Sequence, residues 1–329
     1  MYPAARAVAA LIALIVASDR VKANELMTLE DKIPLGRVAG RIDHLAVDPG
    51  RKRLFVAELG NNSVGVVDLT ERKVLQHIPG FREPQGVAYA QASDLVYVAT
   101  AGDGFVRWLR GSDLSRVGEL KLGDDADNVR VDRRSNQVVV GYGSGALAVL
   151  DGASGRKIAE IPLPAHPESF QLERHGDRIY ANVPDARHVA VIDRAAGREI
   201  GQWNRPGAGA NFPMALDEAA HRLFVVYRNP AILAIFDTVQ GAVAAQLPTC
   251  NDADDVFFDE RRQRVYVSCG EGVLAVIQQE DGTYREAERI ATNAGARTAL
   301  FVPELDRLFL AVRARDREPA AIWIFRPVS

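Results

Sequence analysis

Short apolar bursts alternate with polar turns along the whole chain, and the clearest instance is Arg41 to Asp68, RIDHLAVDPGRKRLFVAELGNNSVGVVD. Leu45 and Val47 alternate with polar neighbours, Leu54 to Val56 form a solid apolar run, and Val64, Val66 and Val67 follow the Gly60-Asn61-Asn62-Ser63 turn. Period-two alternation and β-branched runs bounded by Gly, Asn, Asp and Pro predict three short strands joined by hairpin turns. Three strands alone cannot bury both of their faces, so recurrence of the pattern decides the architecture.

The pattern recurs seven times. The residues opening the first strand of each copy are Asp43, Gln85, Asp127, Glu168, Phe212, Asp254 and Arg297, at spacings of 42, 42, 41, 44, 42 and 43. Second strands return as VYVAT, VVVGY, IYANV, LFVVY, VYVSC and LFLAV; third strands return as ALAVLD, HVAVID, ILAIFD and VLAVIQ, and as AIWIF at 321–325. A weaker fourth strand follows in most copies, for example KVLQHI (73–78) and KIAEIPL (157–163). Four strands per repeat of this length predict an all-β, seven-bladed β-propeller of four-stranded blades, with blades starting near 43, 85, 127, 168, 212, 254 and 297. The seventh copy ends after its third strand, while residues 26–35 precede the first copy unassigned. An open ring leaves bare sheet edges, so the N-terminal segment is expected to supply the outermost strand of the last blade. The turns need no functional reading: Asp68, Asp151, Asp193 and Asp237 close third strands, and Asp bonding its own downstream backbone is ordinary turn chemistry.

Composition narrows the class. In 329 residues, hydrophobic content is 47%, charged content 25% and the formal net charge −3. That balance carries no nucleic-acid footprint and no attraction to an anionic membrane. Residues 1–23 read as an export leader, with Arg6, an apolar run of eleven from Ala7 to Ala17, and Val21-Lys22-Ala23 at the cleavage point. Eleven apolar residues are too few to span a bilayer, which needs about 20. The expectation is a periplasmic or secreted protein: a single propeller over 24–329, monomeric, with no transmembrane segment after the leader is cut.

Copies such as DHLAVDPGRKRLFVAELGNNSVGVVDL and QGVAYAQASDLVYVATAGDGFVRWL resemble the YVTN-repeat, YncE-like family of exported seven-bladed propellers. The similarity runs over roughly residues 36–325. It implies the fold and export, and binding roles suggested for some members; it supplies no catalytic motif to carry over.

In a propeller the loops leading into first strands, and those between second and third strands, emerge on one face around the central channel. Polar residues in them therefore converge. Asp43, Asp127, Glu168 and Asp254 are four acids at seven equivalent places, with His44, Asn128 and Asp255 beside them and Arg297 in the seventh. Converging carboxylates take up protons or hold a cation; hard oxygen donors would suit Ca²⁺ or Mg²⁺, so a divalent cation is the one candidate cofactor and none is required. The other reading is that they cap strand starts and bond neighbouring blades, with Arg228 and Arg297 neutralising the ring. The glycine-rich stretch Gly207 to Pro213, including Asn211, forms a second candidate with Arg228, which can grip a carboxylate or phosphate bidentately. Glu58, Glu271, Arg313 and His188 fall in equivalent rim loops. GYGSG (141–145) leads into a strand rather than a helix, so it is a hairpin turn and not a dinucleotide loop. HExxH, GxSxG, P-loop and CxxCH patterns do not occur in the sequence.

Cys250 and Cys269 form either a disulfide or two buried thiols. Pairing Phe258 with Val265 sets Asp254 opposite Cys269, near Cys250. Trp108, Trp203 and Trp323 lie within strands and read as blade packing. Two functions stay open. One is a binding or scaffold propeller that engages a small molecule or protein partner at its channel mouth. The other is a metal-dependent hydrolase resembling the lactonase propellers, with His44 or Asp255 as its acid or base.

Overall fold

The computed structural model describes residues 25–328; the expected leader lies outside them. Seven four-stranded antiparallel sheets are arranged as blades in a ring. Among the described residues one 3₁₀ turn, Leu59–Asn61, is the only helical element, and no helix is long and apolar enough to cross a membrane. The innermost strands are Leu45–Asp48, Pro84–Ala90, Val129–Asp132, Phe170–Leu172, Gly209–Asp217, Ala253–Asp259 and Ala299–Val302, in blades 1 to 7. Met27–Pro34 pairs antiparallel with Ala321–Pro327 and is the outermost strand of blade 7.

The core is divided into seven parts, one between each pair of neighbouring blades. Val64, Val66, Val96 and Val98 join blades 1 and 2. Ile33, Leu35, Leu54, Val56 and Phe309 join blade 7 to blade 1. Second and third strands are therefore sandwiched on both faces, as in Leu95–Thr100, where all six residues are buried. That is why these strands read as solid apolar runs rather than alternating ones.

Outer strands obey a different constraint. Each of the seven pairs with its third strand through one β-bulge at an equivalent place, as between Val66 and Val67, Trp108 and Leu109, or Leu29 and Asp31. The extra residue bends the exposed strand and spoils it as a template for another chain. Blade 6 has a long outer strand, Thr283–Ala291, absent from the repeat pattern because its sequence, TYREAERIA, is mostly polar.

Candidate functional site

The seven lead residues meet. Asp43, Gln85, Asp127, Glu168, Phe212, Asp254 and Arg297 all line one cavity of about 170 Å³ at the channel mouth. Their backbone explains the inward aim. Asp43, Asp127, Glu168 and Arg297 each stand two residues before the first strand begins, outside the regular ladder. The Asp43, Asp127 and Glu168 amides donate to Ala57, Gly141 and Asn182 of their own second strands at 2.8, 3.0 and 2.9 Å. Gln85, Phe212 and Asp254 lie instead within first strands, each at a bulge: between Pro84 and Val87, Asn211 and Met214, and Ala253 and Asp255. Bulges re-aim side chains, so the two backbone devices deliver equivalent residues to one opening. The blade-6 bulge also corrects the expected register: Phe258 does pair with Val265, but Ala253, not Asp254, lies opposite Cys269.

Charge is distributed unevenly around the mouth. On the side of blades 5 to 7, acids and arginines are matched. Arg228 binds Asp254 and donates Nε–H to the Ala253 carbonyl at 2.8 Å. Arg297 reaches Asp254 at 3.0 Å and Asp252 at 2.7 Å. Arg228 also stacks 3.9 Å above the Phe212 ring. At blade 1, Arg41 lies 2.7 Å from Asp43. Blades 3 and 4 differ: among the described residues, Asp127 and Glu168 have no cationic group within 4.0 Å, and Asp127 is 6% exposed with Oδ1 buried and unpartnered.

Burial raises the Asp127 carboxyl to about 7, helped by Asp43 and Glu168 and opposed by His44 and His166. Glu168 is likewise raised to about 7 by burial and by Asp254, against Arg228 and His44. Asp43 is raised by burial, against His44 and Arg41. His44 stands between acids, 3.6 Å from Asp255 and 3.8 Å from Asp43. Burial alone would lower its pKa, but Asp255, then Asp43 and Asp127, outweigh it and hold the ring protonated, at about 10. An imidazolium so held cannot accept a proton at neutral pH.

Three residues expected at the site do not line the cavity. Asn211 is fully buried and donates to Asn182 Oδ1 and to the His188 carbonyl at 2.9 and 3.1 Å, latching blade 5 to blade 4. Asp255 accepts the Ala299 N–H at 2.8 Å, joining blades 6 and 7. Asn128 is buried beside the mouth without lining it. Of the rim residues, Glu58 is fully buried, held by Ser63 Oγ at 2.6 Å and His77 Nδ1 at 2.8 Å, and His188 is buried within blade 4. Glu271 accepts from Asn251 at 2.7 Å. Arg41, Asp125 and His166 also line the cavity, and of these Arg41 and His166 escaped the sequence reading. The signal was available: each lies two residues before a lead residue, as does Asp252. Among the described residues, no three His, Cys, Asp or Glu side chains gather as a metal site requires.

Beside the mouth, a wider groove of about 750 Å³ runs between blades 4 and 5, lined by the Asn204 to Ala210 loop, Arg187, Asn229 and Phe212. The glycine-rich stretch thus does border a cavity, and Phe212 is a wall of both spaces. Cys250 and Cys269 are disulfide-bonded, with Cα atoms 5.9 Å apart. Trp108 stacks on Tyr97 within blade 2, and Trp203 stacks on Phe236 between blades 4 and 5.

No protein-family model and no curated protein matches this chain. Solved structures do. A chain of Kuenenia stuttgartiensis hydrazine synthase superposes with a TM-score of 0.73 at 17% identity, over 82% of this chain and 91% of that one. A chain of a mitotic checkpoint complex superposes with a TM-score of 0.78 at 12% identity, over 100% and 99%. At such identities the likeness is one of fold: this chain shares the seven-bladed propeller.

Proposed function

We propose that this protein is a binding propeller whose channel mouth is the receptor site for a small polar ligand. The observation that carries the reading is the convergence of all seven lead residues on one 170 Å³ opening, among them the buried Asp127, whose Oδ1 has no hydrogen-bond partner. A buried acceptor without a donor is costly unless something supplies one, and propellers commonly present ligands at a channel mouth. We further read the chain as a YVTN-repeat, YncE-like propeller that is exported and works as a monomer in the periplasm or outside the cell. The leader pattern of residues 1–23, the disulfide and the bulged outer strands support that reading.

The test is a thermal-shift screen of wild type and Asp127→Asn against small charged and polar metabolites. A ligand at 100 times its Kd stabilises by about 2.7 kcal/mol, so a hit raises the wild-type melt by several degrees and the variant's by much less. Turnover of a lactone or ester that is abolished by EDTA would replace the binding reading with the hydrolase one.

A further inference from the structure

The mouth and the neighbouring groove share a wall, and together they specify the ligand more narrowly; this step rests on the binding reading above. Among the lead carboxylates, Asp43 and Asp254 already face arginines, whereas Asp127 and Glu168, on adjacent blades, do not. Asp127 is nine-tenths buried and lines the cavity with Oδ1 unpartnered. Two carboxyl groups without an ion-pair partner within 4.0 Å therefore line the opening on adjacent blades, in a wall that also holds Arg41, His44, Arg228 and Arg297. A bare divalent cation is a poor match, since Ca²⁺ takes 6–8 oxygens at about 2.3–2.6 Å around one point. No trio of acidic or imidazole side chains gathers in that way among the described residues. A water occupies about 30 Å³, so 170 Å³ holds several non-hydrogen atoms. A group that spreads several N–H donors over such a volume fits better than an ion. Charge-assisted hydrogen bonds to carboxylates are about twice as strong as neutral ones.

Phe212 also borders the second space. The groove there is over four times larger, and Gly207 and Gly209 are among its lining residues, where no side chain narrows it. A Cβ added at Gly209 would meet nothing within 4 Å. Arg187 and Arg205 line it against one acid, Asp185, and that excess of positive charge disfavours a second cation on that part of a ligand.

We propose that the mouth takes the guanidinium or ammonium end of an elongated organic ligand, with Asp127 and Glu168 accepting its N–H donors and its uncharged remainder running past Phe212 into the groove between blades 4 and 5. The cation fixes orientation and the groove supplies most of the contact area.

Titration calorimetry with two probes tests both halves. Propylguanidinium represents the head alone; acetyl-glycyl-glycyl-arginine amide represents head and body. The peptide is expected to bind at least tenfold tighter than propylguanidinium. Asp127→Asn should weaken both at least tenfold, while Gly209→Leu, which adds bulk to the open groove, should weaken only the peptide. Equal binding of the citrulline analogue, which is neutral but isosteric, overturns the cationic assignment and leaves the binding reading standing. Stoichiometric Ca²⁺ or Mg²⁺ binding that is lost in Asp127→Asn overturns it in favour of a metal site. A peptide that binds no better than propylguanidinium, or that ignores Gly209→Leu, overturns the groove. If the probes and the metabolite screen all leave the melt unmoved, the binding reading falls as well.

Discussion

Asp127→Asn should make the ligand-free protein more stable at alkaline pH and leave it unchanged at acid pH. The Asp127 carboxyl is buried, has no cation within 4.0 Å and keeps one oxygen without a donor. Burial, with Asp43 and Glu168, moves it from its ordinary 3.8 to about 7. Between those values the folded protein holds a proton that the unfolded chain has released, so folding stability falls as pH rises. The stability tied to that proton is complete below about 4 and is lost as pH climbs through 7. At 1.36 kcal/mol per pKa unit, ionising the group in place costs at most about 4 kcal/mol. Asn has nearly the same shape and never ionises, so it escapes that cost. Water entering the mouth softens the effect, and about 2 kcal/mol is expected at pH 8.5. For a chain of this size that is a rise of roughly 3 °C. The assay is a pair of thermal melts, wild type and variant, at pH 4.5 and pH 8.5 without ligand. A difference in melting temperature that is the same at both pH values, or a variant less stable at pH 8.5, would refute the reasoning and make Asp127 a structural acid.

Three further outcomes follow from other parts of the ring. Removing Met27–Pro34 together with Leu35 exposes the places of Met27, Ile33 and Leu35, all buried; at about 1.5–3 kcal/mol per side chain the loss exceeds about 5 kcal/mol, and an unchanged melt would reject the closure strand. Reducing Cys250–Cys269, 19 residues apart, should cost about 3 kcal/mol on the loop-entropy account; melts with and without a phosphine reductant check it, and a free-thiol count on unreduced protein that finds both cysteines would refute the bond. Arg228→Met leaves Asp254 with one arginine rather than two and removes the cation from the Phe212 face. The melt should fall by about 3 kcal/mol in equivalent stability, as expected when one partner of a largely buried pair is lost, and a fall below about 1 kcal/mol would show that Arg297 suffices alone.

The architecture was legible because the strands that make it are buried on both faces. Leu95–Thr100 and Arg264–Cys269 have every residue buried, and such runs announce themselves seven times in 329 residues. Outer strands have one face in water, and Thr283–Ala291 accordingly carries no run that marks it as a strand. Which residues share the mouth was legible for the same reason as the fold: position within a repeat becomes position around an axis, so Asp43 and Arg297 could be placed together across 254 residues. Direction was not legible. Glu58 and Asn211 occupy the right places in their repeats, yet hydrogen bonds to Ser63, His77, Asn182 and His188 turn them into the blades. Nor do bulges show in a hydrophobic pattern, and so the Asp254 register slipped by one residue. The repeat delivers seven equivalent positions, and function must lie in how those positions differ. Five of them are matched to a partner or uncharged; the two that are not, Asp127 and Glu168, stand side by side. A purely structural ring gains nothing by setting a buried carboxyl, Asp127, beside a half-buried one, Glu168, with no ion-pair partner within 4.0 Å of either, since their mutual repulsion weakens the fold at every pH above their titration. That cost persists in a folded chain most readily where a ligand repays it.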